Sequence, residues 1–400
     1  MDDNPLNRRD FLRRTAGVLT GAAIHAAAGD RLFAEERIDT VQIGYIPITD
    51  AAPLLVAHGK GFFADEGLRV KPPVLIRTWS ALSESFLSGK FNVTHMLFPM
   101  PVWMRYNTKA SIKVLAWDHV NGSAVTVGKE SAIRSFGDLG GKTIAVPYWY
   151  SMHNILLQAG IRKAGLTPVI QRDNRPLQTN EVNLFILPPP EMPIALAGKK
   201  IDGYIVAEPF NALGEMKINA RILRFTGDMW KNHPCCVIVM NETLVNENPA
   251  FTQKVINAIV KAQRFIHEEP LAAAHMLSRE GNGYLPVTEE IIKRVLTYYD
   301  KKFYGVKERS AIRHPEWNIK RIGFQPYPFP SATRFIVNEM KSTLMEGETR
   351  FLETLDPEFV IRDLVDDSYV KKAIFAAGGP AHFDSLTTSD PFAREEVIDL

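Results

Sequence analysis

The chain has 400 residues, of which 46% are apolar and 23% charged, and its formal net charge is only +2. This length suits two lobes of ordinary size, and the composition is that of a folded protein. The 47 basic residues are dispersed among 45 acidic ones, which excludes nucleic acid and an anionic membrane surface as expected partners. Beyond the N-terminal segment no stretch approaches about 20 apolar residues, so we expect no stable membrane insertion.

The first 37 residues have the features of an export signal. Arg8 and Arg9 precede Phe11 and Leu12, and a mildly apolar stretch and small residues follow. This order is typical of secretory signals, and the arginine pair is typical of the twin-arginine type that addresses folded proteins for export. We therefore predict that residues 1–37 form a twin-arginine-type signal segment; an amphipathic N-terminal helix is the alternative.

The cysteine content bears on localisation. Cys235 and Cys236 are the only cysteines, and none lies near residues 20–40 to carry a lipid. An exported protein without a lipid anchor needs an outer membrane to retain it, so we predict a periplasmic protein that is not a lipoprotein. The vicinal pair is expected to be two buried thiols, and a strained disulfide is the alternative.

Strand-like and helical runs alternate along the rest of the chain. In the first part, Asp50 and Ser80 are predicted to begin helices, and the predicted strands cover 40–46, 68–76, 91–97, 112–118 and 123–129. A second unit begins near Gly140, with predicted strands at 143–146, 182–187, 203–208 and 220–225, and helices at 155–164, 191–198 and 209–216. Residues 235–245 are predicted to lead the chain back from the second lobe to the first, a segment called the return crossing below. Helices are predicted over 249–269 and 289–303, and the tail is predicted to be mostly helical.

This alternation predicts an α/β protein of two lobes, each a mixed sheet flanked by helices, with a cleft between them. The signal segment precedes lobe 1, which comprises 38–139 and 245–330, and lobe 2 comprises 140–244. Residues 331–400 are predicted to form an extension that packs on lobe 1.

The turn VPYWYSMHN at residues 146–154 carries three aromatics, a serine and a histidine between a strand and a helix. Ligands of α/β sheets bind where strands lead into helix N-termini, so we predict Ser151 as the N-cap, Tyr148 and Trp149 as ligand walls, and His153 as a hydrogen-bond partner. Packing between the lobes for the aromatics, and a solvated or structurally paired histidine, are the alternatives. The turn is expected to face residues of the first lobe, and the candidate ligand-binding set from that side is Pro47, Thr49, Trp79, Met96 and His119.

The chain lacks the motifs of common catalytic and metal sites. It contains no HExxH, GxSxG, CxxC or Walker sequence. His95, His119, His153 and His233 are scattered, and their spacing does not support a metal site. We therefore predict a protein that is not an enzyme and that carries no metal and no cofactor.

Several segments resemble one family in the same order along the chain. IGYIPITDAAP and HGKGFFADEGL resemble the opening of substrate-binding proteins of ABC importers in the nitrate, sulfonate and taurine group, closest to the nitrate- and bicarbonate-binding branch. Further similar segments lie at 78–86, 97–103, 187–212 and 227–234. The resemblance runs from about residue 40 to about residue 250.

The resemblance implies the two-lobed periplasmic binding protein fold of type II. It also implies capture of a small-molecule solute in the cleft and delivery to an ABC permease and its ATPase. His153 falls where nitrate-binding members have a histidine that contacts the ligand. Glu208 falls on the family's Glu-Pro-aromatic-Asn pattern, where it either shapes the cleft or caps the helix that starts at Pro209.

Three positions depart from the nitrate-binding pattern, which has Trp, Gln and Lys where this chain has Met96, Val120 and Cys236. Losing the lysine removes a charge-assisted hydrogen bond worth about 1.5–3 kcal/mol to a small anion. We therefore expect Cys236 to lie in a site for a neutral or weakly anionic organic solute. An enzyme on the same scaffold, similar to those of pyrimidine-precursor synthesis, and a sensory ligand-binding protein remain the alternatives.

Overall fold

The structure is a computed structural model that describes residues 39–173, 175–305, 311–383, 386 and 390–400. The predicted signal segment at 1–37, including its arginine pair, lies outside the described residues. None of the helices in the described part of the chain is both long enough and apolar enough to cross a membrane.

The first of two large sheets has five strands and is mixed. Its central strand Val93–Leu97 is buried along its whole length and has a neighbouring strand on each side. It runs parallel to Ile43–Tyr45 and antiparallel to Cys236–Asn241. The order across the sheet is Val74–Leu75, Ile43–Tyr45, Val93–Leu97, Cys236–Asn241 and Ile112–Trp117. The helices of this part of the fold include Ala52–Gly59, Phe62–Asp65, Trp79–Leu87, Pro99–Tyr106 and Pro249–Glu268.

The second large sheet has six strands and is also mixed. Four neighbouring strands are parallel, and Ser123–Gly128 runs antiparallel between them and the edge strand Ala220–Phe225. The order is Thr167–Val169, Glu181–Ile186, Lys142–Val146, Gly203–Ala207, Ser123–Gly128 and Ala220–Phe225. Its helices are Met152–Lys163, Met192–Ala197 and Phe210–Lys217. A further parallel pair, Thr40–Val41 with Arg69–Val70, lies outside both large sheets.

Strand pairing corrects the predicted boundaries of the lobes. The strand Ser123–Gly128 was assigned to lobe 1, but it pairs with Gly203–Ala207 of the second sheet, with Ser123 opposite Ala207. The chain therefore first passes between the sheets after Trp117, and it returns before Cys236. Alternating hydrophobicity identifies a strand from its sequence, but it does not encode which strand becomes its hydrogen-bonded neighbour.

The two crossings between the sheets are bonded to each other and to the C-terminal part of the chain. Asn121 donates its backbone N–H to the carbonyl of His233 over 2.9 Å. The short strand Val120–Asn121 pairs with Ile322–Gly323. On the second crossing, Lys231 donates to the carbonyl of Val397 over 3.0 Å. These bonds join segments that are far apart in the sequence.

The two helices predicted at 249–269 and 289–303 begin at the predicted residues, but the second is shorter. The predicted helix at 289–303 is divided into Glu289–Thr297 and Lys301–Tyr304. Asp300 ends the continuity, because its carboxylate accepts from the backbone N–H groups of Lys302 and Phe303 and so caps a new helix. The other helices of this region are Glu242–Glu247, Pro270–Leu277, Pro330–Ser342, Pro357–Leu364 and Ser368–Ala376.

The C-terminal extension, which the sequence predicted to pack on lobe 1, also contacts a helix of the second sheet. The carbonyl of Leu344 accepts from the side-chain amides of Asn154 and Gln158, which lie on helix Met152–Lys163 of the second sheet. Both amides are fully buried. Because a buried amide requires partners, these bonds fix the extension against the second sheet as well.

The extension is also held to the first sheet by an arginine with two acidic partners, which leads to a stability prediction. Arg105 Nη2 donates to Asp363 Oδ1 over 2.8 Å and to Glu242 Oε1 over 3.0 Å. Changing Asp363 to asparagine should lower the free energy of unfolding at pH 7 by about 1–2 kcal/mol, a value that allows for solvent screening of this partly exposed carboxylate.

The cost of this change should depend on pH. The hydrogen bond from Arg105 lowers the pKa of Asp363 against the opposing effect of burial. A lowered pKa contributes stability above the unfolded value of about 3.9, and that contribution is lost as the pH falls. Urea unfolding of the two proteins should therefore differ most above about pH 5, and the difference should shrink steadily below about pH 4 as the pH falls through the lowered pKa of Asp363. A difference that stays constant across this range would contradict the ion pair.

Candidate functional site

A cluster of polar side chains lies at the edge of the first sheet that faces the second. Parallel strands place their carboxyl ends at one edge of a sheet, and an antiparallel neighbour begins there. Asp50 follows strand Ile43–Tyr45, and Asp118 and His119 follow strand Ile112–Trp117. Cys235 and Cys236 stand at the beginning of the antiparallel strand. His95 lies on the central strand, and all six side chains are completely buried.

Short polar contacts join these side chains. His119 Nε2 lies 2.9 Å from Asp50 Oδ2, and the thiol of Cys236 donates to the same oxygen over 3.2 Å. The ring nitrogen Nε2 of His95 accepts from the backbone N–H of Ile46 over 3.0 Å. In a neutral ring the proton of His95 is therefore on Nδ1, which lies 4.0 Å from Asp118 Oδ2.

The second sheet contributes to the cluster through the predicted turn. Ser151 is the N-cap of helix Met152–Lys163, since its hydroxyl accepts from the backbone N–H of Asn154 over 3.0 Å, as predicted. The cap fixes the first turn of the helix, which carries His153. His153 Nε2 lies 2.9 Å from Ser123 Oγ and 3.9 Å from the thiol sulfur of Cys235. The histidine thus reaches across to the first sheet's cysteines.

Burial and neighbouring charges set the protonation of the cluster. Burial raises the pKa of Asp118 well above its usual range, and burial lowers the pKa of His95 to about 3, so this imidazole is neutral at physiological pH. Burial alone would lower the pKa of His119, but the Asp50 carboxylate beside it outweighs that effect and raises the pKa. Burial also raises the pKa of Asp50, against the opposing effect of the imidazole beside it, so Asp50 and His119 form a buried acid–base pair joined over 2.9 Å.

Several buried polar atoms of the cluster have no hydrogen-bond partner among the described residues. Buried polar groups in folded proteins are nearly always paired, so a concentration of unpaired ones indicates a place where a ligand binds. In this region the unpaired atoms are Thr49 Oγ1, Asp50 Oδ1, both carboxylate oxygens of Asp118, and the Nδ1 atoms of His95, His119 and His153.

The predicted aromatic residues divide between the cluster and the C-terminal extension. Trp79 is buried with its ring edge against His95, at a centroid distance of 5.5 Å. Trp149 instead donates its indole N–H to Glu346 over 3.3 Å. Tyr148 is half-buried and packs against Tyr150. Pro47 and Met96 are buried in the first-sheet part, with Met96 opposite Val237 in the strand pairing.

Glu208 has a structural partner that the sequence did not reveal. Its carboxylate accepts from Arg321 Nε over 2.6 Å and from the backbone N–H of Ala212 over 3.0 Å. The acid is completely buried. Of the two roles left open for Glu208, capping of the following helix is the one for which the structure shows a hydrogen bond. The carbonyl of Glu208 also accepts from the backbone N–H of Thr49 over 2.8 Å and joins the two sheets.

Sequence reasoning missed part of the cluster and misread one member. Asp50 was predicted to cap a helix, but it lies within the turn Thr49–Ala51 and makes no capping bond to the helix that follows. Asp118 and Cys235 were not selected as site residues, although both adjoin selected ones. The signal available in the sequence was positional, since each polar residue directly adjoins an apolar strand at the same edge of the sheet. Both cysteines are free and buried, as predicted.

Comparisons with known proteins agree with this architecture. The chain is 29% identical over 244 residues to the nitrate/nitrite binding protein NrtA of Nostoc sp. (strain PCC 7120), which covers 56% of this chain and 53% of that protein. It is 29% identical over 238 residues to the nitrate import ATP-binding protein NrtC of Synechocystis sp. (strain PCC 6803), which covers 56% of this chain and 34% of that protein. The chain thus spans about half or less of the length of these relatives.

A solved structure shows the same fold. The periplasmic nitrate-binding protein NrtA from Synechocystis PCC 6803 superimposes with a TM-score of 0.71 at 18% identity, covering 90% of this chain and 94% of that one. This likeness confirms the predicted two-lobed periplasmic binding protein fold. Residues 34–279 match the NMT1-like family. Because that match covers more than half of the sequence, the chain belongs to the NMT1-like family.

Proposed function

We propose that this chain is the solute-binding component of an ABC-type importer, exported to the periplasm, which captures a small solute between its two sheets and delivers it to a membrane permease driven by an ATPase. The similarity to NrtA and NrtC supports this role. The observation that carries it is the buried polar cluster to which both sheets contribute, with His153 from one and Cys235 from the other 3.9 Å apart. A ligand held there would contact both lobes, which favours closure.

The charges of the cluster decide what kind of solute fits. Asp50 and Asp118 bring two carboxyl groups, and in the described part of the chain no lysine or arginine is hydrogen-bonded or ion-paired to either of them. A small inorganic anion would lose its charge-assisted partner and meet the carboxyl group of Asp50, with His119 beside it, instead. We therefore propose a neutral or cationic solute, which removes the weakly anionic class from the sequence-based expectation.

The proposed site combines the predicted residues that lie in or beside the cluster. It comprises Pro47, Thr49, Trp79, Met96, His119, Ser151, His153 and Cys236, together with the newly found Asp50, His95, Asp118 and Cys235. Tyr148 and Trp149 are proposed to support the turn that carries His153. Glu208 is proposed to hold the following helix and Arg321 rather than the solute.

Thermal unfolding of the mature chain against a panel of solutes tests this function. The panel contains nitrate, bicarbonate, sulfonates, amides, ureas, pyrimidines and divalent metal ions. A true solute at 100 times its dissociation constant should add about 2.7 kcal/mol of stability. We expect no stabilisation by nitrate at millimolar concentration and stabilisation by a neutral or cationic member. Micromolar binding of nitrate would overturn the solute class, and no binding by any member would count against solute capture.

A variant of the turn localises any binding that the panel finds. His153→Ala should weaken the binding of the stabilising solute by about 1–3 kcal/mol, because a polar partner in a desolvated site is lost. His58→Ala is the matched control, since His58 is a partly buried histidine that pairs with Tyr284 rather than with the cluster. Calorimetry that gives wild-type affinity for His153→Ala would remove this histidine from the site.

A further inference from the structure

Four side chains of the cluster have the chemistry of transition-metal ligands. Asp50, His119, Cys235 and Cys236 each place one ligand atom so that all four atoms lie within 4.8 Å of one another. Thiolate and imidazole ligands together select zinc and similar ions, whereas calcium and magnesium prefer oxygen ligands. The four residues come from three separate segments of the chain, so this donor set is a product of the fold.

The spacing of the four atoms fits a tetrahedral ion. Zinc binds sulfur at about 2.3 Å and nitrogen or oxygen at about 2.0–2.2 Å, which places neighbouring ligand atoms about 3.3–3.8 Å apart. The distance between Asp50 Oδ2 and the Cys236 sulfur is 3.2 Å, and that between Asp50 Oδ2 and His119 Nε2 is 2.9 Å. These two distances are within about half an ångström of the tetrahedral spacing, and all four ligand atoms lie within 4.8 Å of one another, so that modest movements of the side chains place an ion among them.

Of the four side chains only His119 is basic, and the others have no lysine or arginine partner in the described part of the chain. Among the described residues, no hydrogen bond or ion pair joins any of the four to a lysine or an arginine. Once Asp50 and the two thiols have lost their protons, the negative charge buried among them exceeds what His119 can offset, and a divalent cation supplies the missing compensation. Asp50 Oδ1 is also buried without a partner, which is a second, independent indication of a missing ligand.

We propose that Asp50, His119, Cys235 and Cys236 bind one transition-metal ion of the zinc class. Binding exchanges protons and involves no oxidation: the two thiols release their protons, His119 binds through a neutral nitrogen, and Asp50 binds as the carboxylate. The site deepens the proposed function by naming the ligand of the same cluster. The donor set stands on its own, however, and metal binding does not require transport.

The position of His153 explains how the second sheet contributes to the proposed metal site. All four ligands belong to the first sheet or to the crossings, whereas His153 and Ser123 belong to the second. His153 Nε2 lies 3.9 Å from the sulfur of Cys235. An ion held by the first sheet is therefore covered by this histidine when the two sheets are together, so that the ion links the two lobes.

Metal titration of the reduced, tag-free mature protein tests the proposal. We expect one Zn²⁺ per chain with a dissociation constant below about 1 μM in competition with a chromogenic chelator. Co²⁺ in place of zinc should give the thiolate-to-metal charge-transfer absorption and the ligand-field bands of a tetrahedral sulfur-containing site. Absence of the charge-transfer absorption, or zinc binding weaker than about 100 μM, would overturn the site.

Conservative variants identify the ligands. Asp50→Asn, His119→Gln and Cys236→Ser should each weaken zinc binding by about 100-fold or more, since loss of even an outer-shell partner costs 10- to 100-fold. His275→Gln, which alters an exposed histidine paired with Glu289, should bind zinc as the wild type does. Wild-type zinc affinity in both His119→Gln and Cys236→Ser would refute the assignment of these residues as ligands. If a variant does not fold, the Co²⁺ spectrum of the wild-type protein decides whether the metal site exists.

The outcomes separate this proposal from the proposed function. Stabilisation by an organic solute in the metal-free protein, with no zinc bound, would refute the metal site and leave solute capture standing. If the protein binds zinc with high affinity but deletion of its gene leaves metal uptake by the cell unchanged, the metal site stands. That result would count against a role of the site in import.

Discussion

Replacing Arg321 with methionine should lower the free energy of unfolding by about 3–5 kcal/mol, because the change leaves a buried acid without its partner. Arg321 and Glu208 are both buried, and Arg321 Nε donates to Glu208 Oε1 over 2.6 Å. Arg321 Nη1 also donates to Glu215 Oε2 and contacts the hydroxyl of Tyr304, each over 3.1 Å. Chemical denaturation followed by circular dichroism gives the difference directly.

Two further variants show whether the unpaired charge is the cause. The double variant Arg321→Met with Glu208→Gln removes both charges and should recover part of the loss. Arg350→Met is the matched surface control, because Arg350 pairs with Glu348 while its side chain is 81% exposed; it should cost at most about 1 kcal/mol. Equal losses in Arg321→Met and Arg350→Met would show that the buried pair contributes nothing beyond a surface one.

Replacing Trp230 with alanine should destabilise the protein by about 3–5 kcal/mol, since a large buried ring leaves a cavity. Trp230 is completely buried on the second crossing between the sheets. Its ring packs edge-on against Phe335 at 4.6 Å between centroids, and its indole Nε1 donates to Glu396 Oε2 over 2.6 Å. The variant therefore loses both packing and a hydrogen bond to the C-terminal segment.

The control for this prediction separates the ring from its N–H group. Trp230→Phe keeps most of the packing and loses the bond to Glu396, so it should cost less than the alanine variant, about 1.5–3 kcal/mol. Measuring both proteins by denaturation at one pH gives the two contributions. Loss of less than about 1 kcal/mol in Trp230→Ala would mean that the crossing is stable without the C-terminal segment.

Both predictions concern contacts between the part of the chain that matches the family and the C-terminal region that follows it. The match ends at residue 279, whereas Arg321 and Glu396 lie after it and hold elements within it. The strand Ile322–Gly323 pairs with the first crossing, and Asp399 donates its N–H to the carbonyl of Met229 on the second, over 2.9 Å. The C-terminal region thus fixes the segments that lead to the polar cluster.

Local structure was largely determined by the sequence. The helix predicted over 249–269 is present as Pro249–Glu268, because its apolar residues recur at helical spacing and Pro249 is favourable at a first helical position. Ser151 caps its helix for an equally local reason, because its hydroxyl accepts the hydrogen bond of the backbone N–H three residues further on. The break at Asp300 was also local but was missed, because the apolar spacing continues through it.

The partners of these elements were decided only by the tertiary structure. The alternating pattern of Ser123–Gly128 is compatible with either sheet, and only its hydrogen bonds to Gly203–Ala207 assign it to the second. The assembly of the polar cluster was likewise decided only by the tertiary structure. The sequence predicted His119, His153 and Cys236 individually, but Asp50, His119 and Cys235 are separated by dozens of residues. They meet because three strand ends share one edge of a sheet, and the order of strands in a sheet is set by long-range packing that no local pattern contains.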